Sequence, residues 1–413
     1  MPTESDFEML VARRPDNVPA DLVVDFDMFN LPGYQTDVQL AYRAFQQNAP
    51  DIFWTPRNGG HWVATRAEDI EVMQRDHTRF SYEQITIPKK PDGAMRMIPL
   101  ELNPPEHAGF RAPLTRALLP KVVNGLEAKI RTHCIALIEG FLPHGECEFV
   151  KEFGQVLPIV IFLDLVNLPR EDRHYLLPLT DAAVRARTPE ARMTATQEVG
   201  AYILKTVRER RAEPGEDLLS QLVNTMIDGK RIGEHEAVAF ASLVLFGGLD
   251  TVASMMANIA RFLAVHTDHR RQLCEHLDDD NFKRNAIEEL LRRHGIASTA
   301  RMIAADIDYK GVRFCRGDMI LPPNMLFGLD ERRVEYPLKV DFTRQFPIPH
   351  AAFGNGPHTC PGAVLARREI KIFLEEWLKR IPDYRIKAGT SPLFELGSVN
   401  ALLRLELCWP TNE

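Results

Sequence analysis

The sequence predicts a mainly α-helical protein with a smaller β-rich part. Apolar residues recur at helical spacing in long stretches at 120–142, 153–166, 191–211, 216–228 and 234–264. Shorter helices are predicted over 37–48 and 67–76. Segments typical of strands are short, at 61–65, 307–309, 312–314, 319–321, 383–386 and 401–407. Because no linker divides the helical stretches, we expect one domain over 1–413, beginning with an arm over 1–36.

The composition narrows the classes of function. Hydrophobic residues make up 45% and charged residues 26% of the 413 residues, which is ordinary for a soluble globular protein. A formal charge of −7 gives no general affinity for nucleic acid. The sequence shows neither a signal-peptide pattern nor a run of about 18 apolar residues that would predict a membrane helix. Six cysteines without CxxC pairs argue against disulfides and zinc sites and favour a reducing cytoplasm.

One cysteine lies in a run of turn residues that leads into a predicted helix. The run from Phe353 to Gly362 reads FGNGPHTCPG, so the backbone must turn tightly and approach another group closely. Pro361 suits the first position of a helix, where its missing N–H costs nothing. Cys360 is then at a helix N-terminus, which favours the thiolate. A rigidly held thiolate can be a nucleophile, a redox centre or a metal ligand, and a buried structural cysteine is the alternative.

A second unusual stretch lies in the middle of the most apolar predicted helix. The apolar character of 234–264 predicts burial on all sides. Gly247 and Gly248 each cost roughly 1 kcal/mol relative to alanine in a helix. Asp250 and Thr251 follow, and a buried acid without a partner is rare. Either close helix packing or the approach of a ligand would account for these residues.

The order Phe353-x-x-Gly356-x-His358-x-Cys360-x-Gly362 resembles the haem-binding loop of the cytochrome P450 family. Three further motifs occur in the family's order, namely His107-x-x-x-Arg111, Gly-Gly-x-Asp-Thr and Glu289-x-x-Arg292. The resemblance covers nearly the whole chain and points to the bacterial camphor hydroxylase group. It implies the cytochrome P450 fold, with a large helical lobe, a smaller β-rich lobe and haem b between the central helix and the Cys360 loop.

The resemblance also implies roles for individual residues. Cys360 is expected to ligate haem iron, and thiolate ligation favours O–O bond cleavage. Thr251 is expected to donate a hydrogen bond on the oxygen-binding side, and Asp250 to relay protons. The other residues expected to contact the haem are Arg111, Arg301 and His358 around its two propionates, His107 as a fourth candidate there, and Phe353, Gly354, Gly247, Gly248 and Gly362. Glu289, Arg292 and Arg344 are expected to form a structural ion-pair cluster.

The substrate loop departs from that of the camphor hydroxylases. Met95 stands where those enzymes have a tyrosine whose hydroxyl holds the ketone, and methionine offers no useful donor. Phe246 is larger than the valine expected beside the glycines. We therefore expect a small apolar terpenoid, with an ionone-type norisoprenoid favoured over camphor. The residues expected to line the substrate pocket are Met95, Phe246, Leu243, Ala297, Ser398 and Val399.

The implied activity is hydroxylation that uses O2 and electrons from a [2Fe-2S] ferredoxin with its reductase. A cytoplasmic monomer without nucleic-acid or membrane partners is expected. Ala108 replaces an arginine that helps the camphor enzyme dock its iron–sulfur partner, so partner preference should differ. Two alternatives stay open: a peroxide-dependent haem-thiolate enzyme, against which the Asp250-Thr251 pair argues, and a non-catalytic haem-based sensor or binding protein.

Overall fold

Helices form most of the structure, as the spacing of the apolar residues predicts. The computed structural model describes residues 11–90, 95–185 and 189–411. These residues contain thirteen α-helices. In chain order the helices are α1 (Val38–Asn48), α2 (Ala67–Arg75), α3 (Glu106–Ala117), α4 (Pro120–Phe141), α5 (Val156–Leu165), α6 (Arg173–Arg185), α7 (Pro189–Ala212), α8 (Leu218–Val223), α9 (Glu234–Val265), α10 (Thr267–Glu275), α11 (Asp280–Arg293), α12 (Asn324–Leu329) and α13 (Ala363–Arg380).

The strands are short and form small sheets. They are β1 (Ile52–Thr55), β2 (His61–Ala64), β3 (Phe80–Ser81), β4 (Glu146–Glu148), β5 (Met226–Ile227), β6 (Lys230–Arg231), β7 (Arg301–Ile303), β8 (Ile307–Tyr309), β9 (Val312–Phe314), β10 (Met319–Leu321), β11 (Arg385–Ile386), β12 (Leu393–Glu395), β13 (Ala401–Arg404) and β14 (Glu406–Cys408). The largest sheet has the order β1-β2-β10-β7-β3, and its parallel pair β2–β10 joins Trp62 to Ile320, far apart in the chain. A three-stranded sheet has the order β11-β14-β4. The mainly α fold class with a smaller β-rich part is therefore confirmed.

The longest helix, α9, passes between two hydrophobic clusters. Its first half contributes Phe240 and Leu245 to one cluster, together with residues of α5, α7 and α8. Its second half contributes Met256 and Ile259 to the other cluster. By length and composition α9 alone among the described helices could cross a membrane. Because both halves pack into the protein interior, the apolar composition of α9 is that of a core helix.

Two sequence expectations for secondary structure are wrong. The helix expected over 216–228 ends at Val223, and β5 and β6 form a hairpin instead. Asp228 and Gly229 have φ values of 51° and 75°, which suit a two-residue hairpin turn and would break a helix. The strand expected over 401–407 is divided into β13 and β14. Of the arm expected over 1–36, residues 1–10 lie outside the described residues, and the described remainder contains one 3-10 turn at Ala20–Leu22.

An ion-pair cluster at the end of α11 ties this helix to the segment before the Cys360 loop. The Glu289 and Arg292 side chains are both fully buried, and Arg292 donates two hydrogen bonds of 2.7 Å to the Glu289 carboxylate. Arg292 also donates to the backbone oxygens of Gly328 and Pro337, at 2.7 and 2.6 Å. Arg344 donates its Nε–H to Glu289 at 3.1 Å. The structure thus brings together the three residues expected in this cluster.

Replacing Arg292 by alanine should lower the free energy of unfolding by about 3–5 kcal/mol, because it leaves the Glu289 carboxylate buried with Arg344 as its remaining cation. Urea unfolding measures this change. Arg208→Ala is the matched control, because Arg208 pairs with Glu234 on the exposed surface and its loss should leave the urea midpoint in place. Equal midpoints for the two variants would contradict the expectation.

Candidate haem site

A cavity of about 330 Å³ lies between Gly247 and Gly248 of α9 and the Cys360 loop. One wall is a stripe of α9, and the opposite wall is the Cys360 loop with the first turns of α13. The residues of α9 in the stripe are Leu243, Val244, Gly247, Gly248, Thr251, Val252 and Met255. Gly247 and Gly248 leave open space, since a Cβ atom on either would meet nothing within 4 Å.

The Cys360 loop is closed by backbone hydrogen bonds. The Cys360 N–H donates to the Phe353 carbonyl at 2.8 Å, and the Thr359 N–H donates to Gly356 at 3.1 Å. Gly354 and Gly356 have φ values of 69° and 73°, which favour glycine. Helix α13 begins at Ala363, two residues later than Pro361 predicted. The Cys360 side chain therefore lies just before a helix N-terminus and opens onto the cavity.

A set of basic side chains surrounds one end of the cavity. Arg111, Arg301, His107 and His358 all line it, although they come from α3, β7 and the Cys360 loop. The Tyr82 ring lies between Arg301, whose Cζ is 3.7 Å from the ring centroid, and the His358 ring, which stacks at 3.5 Å. Buried nitrogens without a partner remain on three of these residues, at Arg301 Nε, His107 Nε2 and His358 Nδ1.

Burial keeps the two histidines neutral. Desolvation, followed by the proximity of His107, lowers the pKa of His358 to about 3. Desolvation and the neighbouring Arg111 lower the pKa of His107 to about 4. The His358 Nε2 lies 2.8 Å from the Leu102 carbonyl, so this nitrogen carries the proton and Nδ1 is left as an acceptor unless an acid reaches it. The two arginines are therefore the cations of this wall.

Comparison with known proteins agrees with this arrangement. The family model described as Cytochrome P450 matches residues 174–381. A curated relative, the probable cytochrome P450 127A1 of Sinorhizobium fredii, is 33% identical over 96% of both chains. The steroid C26-monooxygenase of Mycobacterium tuberculosis is 29% identical over 86% of this chain and 89% of its own. Among solved structures, CYP101J2 and CYP101C1 superpose with TM-scores of 0.88 and 0.89, at 37% and 35% identity, over 97% of this chain and 100% of theirs.

The chain belongs to the cytochrome P450 family. As a P450 monooxygenase it takes haem as cofactor, with the Cys360 thiolate as axial ligand of the iron. The residues present fit this group in two respects. The open space beside Gly247 and Gly248 faces Cys360 across the cavity, and the unpaired Nε–H of the Arg301 guanidinium suits a carboxylate group.

The protein atoms alone do not favour the Cys360 thiolate. Burial raises the pKa of the Cys360 thiol, and this effect outweighs the Gly362 N–H and Arg111, which act in the opposite direction. The helix N-terminus acts in the expected direction, since the Gly362 and Ala363 N–H groups lower the pKa of Cys360, but burial has the larger effect. A coordinated metal ion deprotonates a thiol outright, so the thiolate of this P450 depends on the iron.

Thr251 and Asp250 of α9 differ in their positions relative to the cavity. Thr251 lines the cavity, and its hydroxyl donates to the Gly247 carbonyl at 3.1 Å. Asp250 is half-buried and does not line the cavity, so the expectation of a fully buried acid is wrong. Helix α9 is continuous through these residues, from Glu234 to Val265.

Four of the six residues expected to line the substrate pocket lie elsewhere. Leu243 and Ala297 line the cavity as expected, whereas Met95, Phe246, Ser398 and Val399 do not. Phe246 packs against the hydrophobic cluster of Phe240 and does not line the cavity. Met95 is 45% exposed.

Ser398 and Val399 belong to the segment that pairs with the loop after α11. Ser398 accepts a hydrogen bond from the Ser298 N–H at 2.8 Å, and Val399 forms an isolated β-bridge with Ala297. Val399 packs against the main hydrophobic cluster. Backbone pairing thus holds this segment beside the cavity wall without placing either side chain on the cavity.

Sequence reasoning missed a buried acid on the cavity wall. Glu369 on α13 is 3% exposed, and its Oε2 has no hydrogen-bond partner. Burial raises the pKa of Glu369 to about 8. It lies one helical turn beyond the cavity residues Leu365 and Ala366, so the i, i+4 spacing could have indicated it.

Glu369→Gln should remove a pH dependence of stability. The folded protein keeps a proton on Glu369 that the unfolded chain releases near its ordinary value of 4.5, so the wild type should lose stability as the pH rises from about 4.5 to about 8. The difference between wild type and E369Q should grow by up to about 1.4 kcal/mol per pH unit within this window. Urea unfolding at several pH values measures it, with the exposed Glu213→Gln as control. Parallel pH profiles for wild type and E369Q would contradict the assignment.

Proposed function

We propose that this P450 hydroxylates a small apolar terpenoid in the cytoplasm, with a norisoprenoid such as ionone favoured over camphor. The observation that carries the proposal is the chemistry of the cavity wall. The wall includes Leu243 and Val244 of α9 together with Pro99, Leu100 and Ala297, all five of them apolar. Such a wall binds by shape and by burial of apolar surface.

Two hydroxyl groups on the described cavity wall, those of Tyr82 and Thr251, already donate to backbone oxygens. The Tyr82 hydroxyl donates to the Gln74 backbone oxygen at 2.7 Å, and the Thr251 hydroxyl donates to Gly247. The Thr299 hydroxyl accepts from Arg301 at 3.0 Å. Camphor would therefore lack the tyrosine hydroxyl that holds and orients its ketone, so a ligand in this cavity has to be held by apolar contacts instead. This supports the proposal although Met95 does not line the cavity.

In the proposed hydroxylation, each of the following residues would have its own role. When bound, haem supplies the activation of O2 and its insertion into a C–H bond. Cys360 holds the iron, and Arg111, Arg301, His107 and His358 hold the propionates. Thr251 would hold a proton at Oγ1 on the oxygen-binding side after rotating away from Gly247. Asp250, which is half-buried and faces away from the cavity, would pass protons to it from solvent.

We also propose a [2Fe-2S] ferredoxin with its reductase as the electron donor. Three arginines contact the Cys360 loop. Arg111 donates to the Thr359 carbonyl, the Arg367 Cζ lies 4.4 Å from the Phe353 ring centroid, and the Arg75 Cα is 3.0 Å from where a Cβ of Gly356 would be. The Arg75 side chain is also 59% exposed. Arg75 and Arg367 also pair with Glu71 and Glu288, and an acidic electron donor would compete with these carboxylates for the two guanidinium groups.

Replacing Thr251 by alanine should lower the product formed per NADH consumed by about tenfold or more, because the proton held at Oγ1 is lost while electrons still arrive. Product and NADH are measured together, with a ferredoxin and reductase pair. Ser242→Ala is the matched control, since Ser242 makes the same kind of bond on α9, from its hydroxyl to the Val238 carbonyl at 2.8 Å, without lining the cavity.

An unchanged ratio in the Thr251 variant would contradict the assigned role. Turnover with peroxide but none with the ferredoxin pair would favour the peroxide-dependent alternative. Absence of any substrate-dependent NADH consumption would favour a haem-based sensor.

Titration of the purified P450 with ionone should shift the haem iron fully from low to high spin, because an apolar ligand of this size fills the apolar wall and displaces water. Camphor should give a weak and partial shift, because it is smaller than ionone and buries less apolar surface against this wall. Optical spectra at increasing ligand concentration measure both. A full and tight shift with camphor would contradict the proposed preference.

A further inference from the structure

One buried side chain connects three segments that meet at the cavity. Gln74, near the end of α2, is 1% exposed. Its Nε2 donates to Asn324 Oδ1 at 2.7 Å, and its Oε1 accepts from Asn355 Nδ2 at 2.8 Å. Asn324 begins α12, and Asn355 lies in the Cys360 loop, five residues before the iron ligand. Gln74, Asn324 and Asn355 all line the cavity.

The backbone at Gln74 is also in close contact with the same loop. A Cβ atom on Gly356 would lie 3.0 Å from the Gln74 oxygen and 3.0 Å from the Arg75 Cα. There is therefore no room for a side chain at position 356, where the loop meets the end of α2. The loop is held by backbone contact at Gly356. It is also held by the hydrogen bond between the side-chain amides of Asn355 and Gln74.

The side-chain amide group allows Gln74 to connect Asn324 and Asn355. It donates to one neighbour and accepts from the other at the same time, which an aliphatic side chain cannot do. Without it, the Asn355 amide would lose its partner at the edge of the cavity. The backbone bonds that position Cys360, from Cys360 N–H to Phe353 and from Thr359 N–H to Gly356, lie in the same short loop.

We propose that Gln74 is a positioning residue for the iron ligand. Through Asn355 it holds the Cys360 loop against α2, and thereby sets the orientation of the Cys360 sulfur toward the iron. Ligand orientation by surrounding hydrogen bonds tunes a metal site. The inference rests on Cys360 as haem ligand, which the reduced carbon monoxide spectrum of the wild type tests first.

The experiment compares Q74L, Q74E and Q46L in the haem-loaded protein. Q74L removes both bonds. Q74E keeps an acceptor for Asn355 in either protonation state. Gln46 is the matched control, since it is a fully buried glutamine that donates to the Thr65 and Leu326 backbone oxygens, at 2.6 and 3.2 Å, and to no residue of the Cys360 loop.

Hydrogen exchange of the Phe353–Cys360 backbone and the thiolate-type band of the reduced carbon monoxide complex are the two readouts. Q74L should exchange at least tenfold faster in this loop and lose part of the thiolate-type band, whereas Q74E and Q46L should keep both as in the wild type. If Q74L lowers the unfolding midpoint as Q46L does but leaves both readouts unchanged, Gln74 is merely structural and the proposal is overturned. A wild type without the thiolate-type band would instead overturn the haem-ligand assignment.

Discussion

The site depends on the loop backbone that carries Cys360, and this backbone passes the end of α2 at a point with no room for a side chain on residue 356. The hydrogen bond from the Cys360 N–H to the Phe353 carbonyl closes the loop, and Gly354 and Gly356 adopt positive φ within it. At Gly356 the end of α2 is so close that a Cβ would have to displace backbone atoms. Because glycine alone meets both the dihedral and the steric demand, the loop delivers Cys360 to the start of α13 in one orientation.

Removal from water is the common cause of the unusual electrostatics around the cavity. It lowers the pKa values of Arg301 and His358, and it raises those of Cys360 and Glu369. Each of these pKa shifts disfavours the charged form of the side chain. In the protein alone, few of these side chains have a partner of opposite charge in the cavity. A cofactor that brings a cation for the thiolate and carboxylates for the arginines supplies the missing partners. Its binding therefore also stabilises the fold.

The opposite walls of the cavity are held by different means. On one side α9 is fixed by apolar packing along both of its halves, into the clusters that contain Phe240 and Ile259. On the other side the buried pair of Glu289 and Arg292 connects α11 to the segment that leads toward the Cys360 loop. Apolar packing leaves an apolar surface on the α9 wall, whereas directional bonds suit a wall that must hold a metal ligand.

The sequence by itself determined the helical fold class and most of the haem-facing residues. Motif order and spacing indicated Cys360, Arg301, His358 and Gly247 correctly as cavity residues, because local turn and helix chemistry constrains such positions. Only the tertiary structure decided which side chains form the remaining wall. Phe246 packs against the hydrophobic cluster of Phe240, and Glu369 and Gln74 reach the cavity from α13 and α2, because these positions depend on how distant helices pack rather than on local sequence.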